Sequence, residues 1–230
     1  MKPPPFAYRD PRSLEEAVAI LDEHGFDASI LAGGQSLIPL LNLRLARPEM
    51  VVDINRLPDL DTVEVGPSTV RLGALARVRR VERDSAVAQA APALSEALGS
   101  IAHPQIRSRT TIGGNVSHAD PSSELPGVLA AYDGMVELTS STGRRRVPWS
   151  DFFISVFTTS REPGELLTAV ELPLTTHRYA FREIARRPGD YPLAAVCSGV
   201  DQVDGRVASA RLAVVAVADR PVRLTQTEAA

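Results

Sequence analysis

Apolar residues recur with a helical period near the start of the chain, and with the two-residue period of strands in later segments. Over residues 13–24 apolar side chains recur every three or four positions, which predicts an amphipathic helix. Ser13 is a good N-cap, Glu16 is its capping-box partner, and Gly25 ends the helix. Apolar runs over residues 29–32 and 50–54 predict two strands.

A short, largely buried helix is predicted between these two strands, over residues 37–45, with Ser36 as its N-cap. A strand, a helix and a second strand in this order are typical of a βαβ-like unit. The pattern therefore predicts a small α/β lobe over residues 1–57.

The pattern changes after residue 57, where strand and helix signals are mixed. Alternation over residues 62–65 and 69–73 predicts a hairpin around Gly66-Pro67. The remaining predicted elements are helical stretches over 77–89, 93–99 and 127–132, a loop-rich segment over 102–120, a hairpin of 135–139 with 144–148, and a strand over 166–172. We interpret residues 58–175 as an α+β lobe.

The C-terminal part of the chain predicts three strands over residues 179–185, 194–203 and 207–217. Asp204-Gly205, between the last two, is a strong hairpin signal. No helix of this part would cover the resulting sheet. We therefore expect a sheet lobe over residues 176–230 that is truncated, or that a partner covers.

Composition narrows the class of protein. The 230 residues are 44% hydrophobic with only 5% aromatics, which predicts a finely packed aliphatic core. A net charge of -3 gives no reason to expect nucleic acid or an anionic membrane as partner. No apolar run approaches the roughly 20 residues of a spanning helix, and residues 1–5 lack the apolar core of a secretory signal. These features predict a soluble cytoplasmic protein.

The chain carries little that could ligate a metal. Its single cysteine, Cys197, lies in an Ala/Val-rich stretch and is interpreted as a small buried hydrophobe. A lone cysteine cannot hold an iron–sulfur cluster, which takes about four thiolates. The four histidines lack zinc-ligand spacing. We predict no metal site, so any redox metal would belong to another chain.

Two Gly-Gly segments are the main candidates for ligand binding. Gly33-Gly34 follows a predicted strand and precedes Ser36. Adjacent glycines can direct successive N–H groups into one concave anion site, and a following helix N-terminus adds its dipole. A tight strand-to-helix turn explains the same residues equally well.

The second segment, Gly113-Gly114, repeats this layout in a predicted loop, with Asn115 in the register of Gln35. Two such loops suit a bulky diphosphate ligand held from two sides. Glu124 follows in a proline-stiffened stretch and is either an acceptor for ribose hydroxyls or an exposed charge. Arg107 and Arg109 either assist the diphosphate or belong to a solvated basic loop.

Other nucleotide motifs fit less well. Neither Gly-Gly segment is a Walker A motif, because no Lys-Ser or Lys-Thr follows, and neither is GxGxxG. Asp53 lies about 20 residues after the first segment, as in a dinucleotide-binding βαβ unit. The glycine spacing is wrong for that unit, and Asp53 is equally explained as a cap at a strand end.

Four segments carry a resemblance to a known family: AGGQSLIPLLNLRLARP (32–48), VVDIN (51–55), HPQIRSRTTIGGNVSHADPSSELP (103–126) and ARRPGDYPLAAV (185–196). In this order they resemble the FAD-binding medium subunit of molybdenum hydroxylases, the group of carbon monoxide dehydrogenase and xanthine dehydrogenase. Gln35 stands where carbon monoxide dehydrogenases have histidine.

The resemblance implies an α+β fold of the PCMH type with FAD as cofactor. It implies an α/β N-terminal lobe, an α+β middle lobe and a small C-terminal sheet lobe. It also implies no catalytic residue on this chain and these cofactor-binding residues: Ala32, Gly33, Gly34, Gln35 and Ser36 in a first pyrophosphate loop; Thr111, Ile112, Gly113, Gly114 and Asn115 in a second; Glu124 at the ribitol, ribose or phosphate; and Ile101, Ala102, Arg182 and Tyr191 near the flavin ring.

The resemblance further implies two partners: a large subunit with a molybdenum cofactor, and a small subunit with [2Fe–2S] clusters. Electrons would reach FAD on this chain from the clusters and pass to an external acceptor. Two other hypotheses stay open on the residues alone: a self-sufficient flavin reductase or oxidase, and a nucleotide-binding module without a redox role.

Overall fold

The computed structural model describes residues 2–230, which form helices and strands in a mixed order. The strands are β1 (Ala7–Arg9), β2 (Ala28–Leu31), β3 (Met50–Asp53), β4 (Val63–Val65), β5 (Thr69–Gly73), β6 (Met135–Ser140), β7 (Gly143–Pro148), β8 (Phe153–Ser155), β9 (Thr158–Thr159), β10 (Leu166–Pro173), β11 (Arg178–Ile184), β12 (Ala194–Val203), β13 (Arg206–Val215) and β14 (Val222–Arg223). The helices are α1 (Leu14–His24), α2 (Leu37–Asn42), α3 (Val78–Glu82), α4 (Ser85–Ala90), α5 (Pro92–Ser100), α6 (Pro104–Arg107), α7 (Ile112–His118), α8 (Glu124–Ala131), α9 (Trp149–Phe152) and α10 (Thr225–Glu228).

The N-terminal part is a three-stranded parallel sheet in the order β1-β3-β2, with α1 packed against β3. The helix predicted from Ser13 is confirmed. Ser13 Oγ accepts from the backbone N–H of Glu16 at 3.1 Å. The Glu16 carboxylate reaches back to the N–H of Arg12, one residue before the N-cap.

The central sheet is antiparallel, in the order β4-β5-β10-β6-β7. Both predicted hairpins are present in it, β4 with β5 and β6 with β7. The single helical stretch predicted over residues 77–89 divides into α3 and α4. The division occurs because Asp84 caps α4 by accepting from the N–H groups of Ala86 and Val87.

The C-terminal sheet has the order β11-β12-β13-β14 and is antiparallel throughout. The expectation that no helix covers it is wrong. Helices α5 and α8 pack on one face, where Tyr179, Phe181, Cys197 and Val215 are buried. This contact could not be predicted from local sequence, because both helices precede the sheet by many residues. Burial raises the pKa of the Cys197 thiol to about 12, as expected for an inert hydrophobe.

Two predictions around the Gly-Gly segments hold only in part. Residues 102–120 are less loop-rich than predicted, because they contain α6 and α7, and Gly113 and Gly114 lie in the first turn of α7. Ser36 occupies the predicted N-cap position of α2, but its backbone angles are helical and its side chain makes no capping bond. Helix α2 is shorter than predicted, and only Leu41 is buried in it, because the helix lies at the surface.

No helix within residues 2–230 is long and apolar enough to cross a membrane. The lobe boundaries at residues 57/58 and 175/176 stay predictions.

Candidate functional site

One cavity of about 500 Å³ brings the two Gly-Gly segments together. This volume is in the usual range for ligand sites, roughly 300–1,000 Å³. Its walls come from β2, α2, the start of α7, the α5–α6 connection, β10 and residues 189–191. Thirteen of the fifteen predicted site residues line it: Ala32, Gly33, Gly34, Gln35, Ser36, Ile101, Ala102, Thr111, Gly113, Gly114, Asn115, Glu124 and Tyr191.

The first segment, residues 32–37, presents free backbone donors. Among residues 2–230 no acceptor is found for the five consecutive N–H groups of Gly33, Gly34, Gln35, Ser36 and Leu37. Gly34 has φ +74°, and a Cβ there would lie 3.1 Å from Ile38 and 3.2 Å from Leu31. Unpaired backbone donors are costly unless water or a ligand accepts from them. Their run along one wall of the cavity is typical of an anion site.

In the second segment, residues 111–115, the N–H groups of residues 112–115 are all bonded within the protein. The N–H groups of Ile112 and Gly113 bond to carbonyls of Ala76 and Ala74, each at 2.9 Å. Those of Gly114 and Asn115 bond to the hydroxyl and the carbonyl of Thr111 at 3.1 and 3.0 Å. The two segments therefore share a sequence pattern and differ in backbone chemistry.

Glycine in the second segment serves close packing. A Cβ on Gly113 would lie 2.6 Å from Ala74 Cβ and 2.9 Å from Ala74 Cα. A Cβ on Gly114 would lie 2.7 Å from the Thr111 hydroxyl oxygen, which caps α7. Larger residues at either position would move α7 from β5 or break its cap.

The two segments also touch each other. A Cβ on Gly33 would lie 2.5 Å from the carbonyl oxygen of Arg109 and 3.0 Å from Thr110 Cα. The backbones approach this closely only because residue 33 lacks a side chain. The Gln35 amide donates to the Gly33 carbonyl at 3.0 Å, so this side chain folds onto its own segment.

A buried arginine positions another part of the wall. Arg107 Nη1 donates to the carbonyls of Ile101 and Ala102 at 2.9 and 3.0 Å, while its Nε binds Glu82 at 2.9 Å. Desolvation would raise the pKa of Glu82, but the bonds from Arg107 and Arg79 outweigh it and lower that pKa. Both interpretations of Arg107, diphosphate contact and solvated loop, are therefore wrong. Its guanidinium fixes Ala102, which has φ +42°.

Glu124 lies in the cavity wall at the start of α8 and is only 6% exposed, which excludes an exposed charge. No side chain among residues 2–230 donates to its carboxyl. Burial, with smaller contributions from Glu183 and Asp120, raises the pKa of Glu124 to about 8. The carboxyl is mostly protonated at neutral pH and can donate a hydrogen bond.

Two predicted site residues do not line the cavity. The side chain of Ile112 is fully buried in the main core, because it points away from the cavity on the first turn of α7. Arg182 is largely exposed and pairs with Glu96 of α5 at 3.0 Å, and it does not line the cavity.

Several lining residues were missed by the sequence reasoning, and Arg161 is the most informative. It is the single arginine in the wall, and its Nη1 donates to the carbonyls of Glu162 and Glu165 at 2.9 and 2.8 Å. Burial lowers the pKa of Arg161. No motif surrounds it, so only the return of the chain after β9 places it beside the Gly-Gly segments. The wall also contains His118 and the carboxyls of Asp120 and Asp190.

Asp53 supports the site from outside the cavity. Its carboxylate accepts from the backbone and side chain of Asn55 and from the Tyr8 hydroxyl. Desolvation would raise the pKa of Asp53, but these bonds outweigh it and lower the pKa. The strand-end cap is therefore the better interpretation of Asp53.

The sequence matches the family described as FAD binding domain in molybdopterin dehydrogenase over residues 4–175, and the CO dehydrogenase flavoprotein C-terminal domain over residues 179–230. The chain belongs to the FAD-binding subunits of the molybdopterin dehydrogenases. The resemblance seen in the four sequence segments is thereby confirmed. The chain is an oxidoreductase subunit, and FAD is its cofactor.

Individual relatives agree with this membership. The chain is 42% identical to the 6-hydroxypseudooxynicotine dehydrogenase complex subunit alpha of Paenarthrobacter nicotinovorans, over 99% of this chain and 78% of the relative. It is 38% identical to the caffeine dehydrogenase subunit beta of Pseudomonas sp. strain CBB1, with the same coverage.

The fold agrees as well. A solved carbon monoxide dehydrogenase from Hydrogenophaga pseudoflava superposes with a TM-score of 0.96 at 36% identity, over 100% of this chain and 80% of that one. Quinoline 2-oxidoreductase from Pseudomonas putida 86 superposes with a TM-score of 0.93 at 38% identity, over 97% and 78%. The α+β FAD-binding fold is confirmed.

The residues present fit FAD. Five free N–H groups suit the two phosphates of its diphosphate. Among the described residues, one arginine and several carboxyls line the cavity, so its formal charge adds little for an anion.

Proposed function

We propose that this chain is the electron-transfer subunit of a three-part molybdenum hydroxylase. A large partner with the molybdenum cofactor oxidises the substrate, and a small partner with [2Fe–2S] clusters passes the electrons to FAD on this chain. An external acceptor then receives them. The family membership supports this arrangement, and several relatives are named as subunits or chains of dehydrogenases.

The observation that carries the proposal is the run of five free N–H groups at residues 33–37. We place the FAD diphosphate there, because an anion held by backbone donors needs no lysine or arginine. The side chains of Thr111 and Asn115 approach the same space from the second segment. Asn115 is oriented by Ser123, whose hydroxyl donates to Asn115 Oδ1 at 2.7 Å.

Other residues of the cavity wall would orient the cofactor. Ile101, Ala102 and Tyr191 form an apolar and aromatic surface suited to the flavin ring. Protonated Glu124 would donate to a hydroxyl of the ribityl or ribose part. When bound, FAD supplies one- and two-electron chemistry, and this chain binds it, orients it and shields it from water.

The test uses the native complex, purified through a tag on this chain, with the wild type beside Gly34→Ala. We expect molybdenum and iron in both preparations and FAD in the wild type alone. Nicotine, caffeine, glyceraldehyde and carbon monoxide are trial substrates, since relatives are named for compounds of this range. A substrate that works should still bleach the iron–sulfur absorbance of Gly34→Ala, while reduction of an external dye is lost.

Gly205→Ala is the matched control. Gly205 has φ +75°, close to the +74° of Gly34, so alanine at either position adopts the same unfavourable backbone angle. Gly205 lies in the β12–β13 turn, and a Cβ there would have no neighbour within 4 Å. It should retain FAD and dye reduction. Purification of the chain without molybdenum and iron partners would contradict the arrangement. NAD(P)H oxidation by the isolated FAD-loaded chain would favour a self-sufficient reductase instead.

A further inference from the structure

A hydrogen-bonded network outside the cavity connects the two Gly-Gly segments. Arg77 lies at the N-cap of α3, directly after the buried run that follows β5. Its Nη1 donates to the Arg109 carbonyl at 2.5 Å, and its Nη2 donates to Asn55 Oδ1 at 2.6 Å. Neither Arg77 nor Asn55 lines the cavity.

Asn55 continues the network to the first segment. Its Nδ2 donates to the Ala32 carbonyl at 2.8 Å and also contacts Asp53 at 2.6 Å. Asp53 is held in turn by the Tyr8 hydroxyl at 2.8 Å. The network therefore binds two carbonyls, that of Ala32 at the start of the first segment and that of Arg109, two residues before Thr111.

The Arg109 carbonyl is also the group against which Gly33 packs. A shift of this oxygen would move Gly33, the first of the five free donors. The planar guanidinium suits this task, because its fork bonds two acceptors at a fixed angle.

We propose that Arg77 and Asn55 act as a clamp that sets the spacing of the two segments and so positions the N–H donors of residues 33–37. The inference rests on the proposed placement of the diphosphate at those donors. Arg77 and Asn55 are positioning residues, since neither lines the cavity.

The test measures the Kd of FAD for the purified chain by quenching of flavin fluorescence. Arg77→Met should weaken FAD binding roughly tenfold, the loss expected for one charged hydrogen bond. Asn55→Ala should weaken it similarly, and the double variant should be little weaker than the worse single variant, because the two residues act as one unit.

Arg80→Met is the matched control. Arg80 lies on the same helix and donates to the carbonyl of Asp61 at 2.7 Å, away from both segments. We expect its FAD Kd to stay within about twofold of wild type, as for other exposed contacts. Phosphorus-31 resonances of bound FAD should shift in Arg77→Met and stay in place in Arg80→Met. A general loss of stability would not move them.

Arg77→Lys separates geometry from charge. An ammonium group lacks the guanidinium fork, so its FAD Kd should resemble that of Arg77→Met. Full recovery by lysine would overturn the clamp. So would an Arg77→Met Kd within twofold of wild type, or equal weakening by Arg80→Met. If Arg77→Met does not fold, Asn55→Ala provides the same readouts from an exposed position.

The same titrations keep this inference distinct from the placement of the diphosphate. Failure of the wild type to bind FAD, or full affinity in Gly34→Ala, would refute the placement itself. Normal binding in the wild type, loss in Gly34→Ala and no effect of Arg77→Met would refute the clamp alone.

Discussion

The two Gly-Gly segments have nearly the same pattern in sequence, and the structure uses them differently. Residues 33–37 leave five N–H groups free at the cavity, whereas residues 112–115 bond all four of theirs within the protein. Gly34 is needed for its positive φ, and Gly113 is needed because Ala74 occupies the space of a side chain. One glycine pair exposes donors and the other permits close packing.

This difference teaches that a repeated motif need not have a repeated role. Substitutions in the first segment should act mainly on FAD affinity. Those in the second should act mainly on folding. FAD titration and denaturation of the same variants separate these two effects.

The largest effect is expected at Gly34. Gly34→Ala forces a side chain onto φ +74° and displaces the free donors, so FAD affinity should fall about 100-fold if one or two charged hydrogen bonds are lost. Its free energy of unfolding, measured by urea denaturation of the FAD-free chain, should fall by about 1 kcal/mol. Gly205→Ala should show this stability loss with unchanged affinity. Equal FAD affinity in both variants would contradict the role of the first segment.

Gly113→Ala should show the opposite combination. Its Cβ would overlap Ala74, and overpacking of a core costs about 1–3 kcal/mol. The FAD Kd of the protein that remains folded should stay within about threefold of wild type, a change below 1 kcal/mol. Thermal unfolding and FAD titration of the same preparation test both points. Strong loss of affinity without loss of stability would show that the second segment binds the diphosphate directly.

The pH dependence of FAD binding tests Glu124. Because burial raises its pKa to about 8, the carboxyl is neutral below that pH and ionises above it. Ionisation removes the proton that Glu124 would donate to FAD and leaves a charge in a buried position, so the FAD Kd should rise above pH 8, by at most about tenfold per pH unit for one proton. Glu124→Gln should abolish this rise in titrations between pH 6 and 9. An unchanged pH profile in that variant would assign the rise to another group.

The same shift has a consequence for stability of the FAD-free chain. The folded state holds a proton on Glu124 that the unfolded state releases at a lower pH. The contribution of Glu124 to stability should therefore be greatest below its unfolded pKa of 4.5 and decline as pH rises towards 8. Glu124→Gln should remove this part of the decline in urea denaturation.

The smallest effect is expected at the cap of α7. Thr111→Val removes the hydroxyl that accepts from the Gly114 N–H, and loss of an N-cap costs typically about 1 kcal/mol. Thr111→Ser keeps the hydroxyl and should stay close to wild type in the same urea denaturation. Thr111 also lines the cavity. The FAD Kd of Thr111→Val divided by that of Thr111→Ser therefore measures how much a hydroxyl at residue 111 contributes to FAD binding.

Much of the fold followed from local signals. Helix α1 was predicted from its apolar period and the Ser13 cap, and the β6–β7 hairpin from alternation around a turn. The cavity could be anticipated as well, since the Gly-Gly segments, Glu124 and Tyr191 all line it. Each of these residues lies in a contiguous sequence motif, which can be identified without the structure.

Other features could not be read from local pattern. The glycines of α7 predict a loop, but contacts with Ala74 and the Thr111 cap stabilise a helix. Arg107 looked like a surface cation and is buried, because Glu82 and two carbonyls lie around it. The cover of the C-terminal sheet comes from α5 and α8, distant in sequence.

The sequence by itself determined the family, the cofactor, most strands and the positions of the two Gly-Gly segments. It did so because backbone propensity and motif spacing are local properties. Only the tertiary structure decided which segment has free N–H donors, which arginines are buried, and that Arg161 and the Arg77–Asn55 clamp lie near the site. Hydrogen-bond partners and burial depend on residues far apart in the chain, and folding alone brings them together.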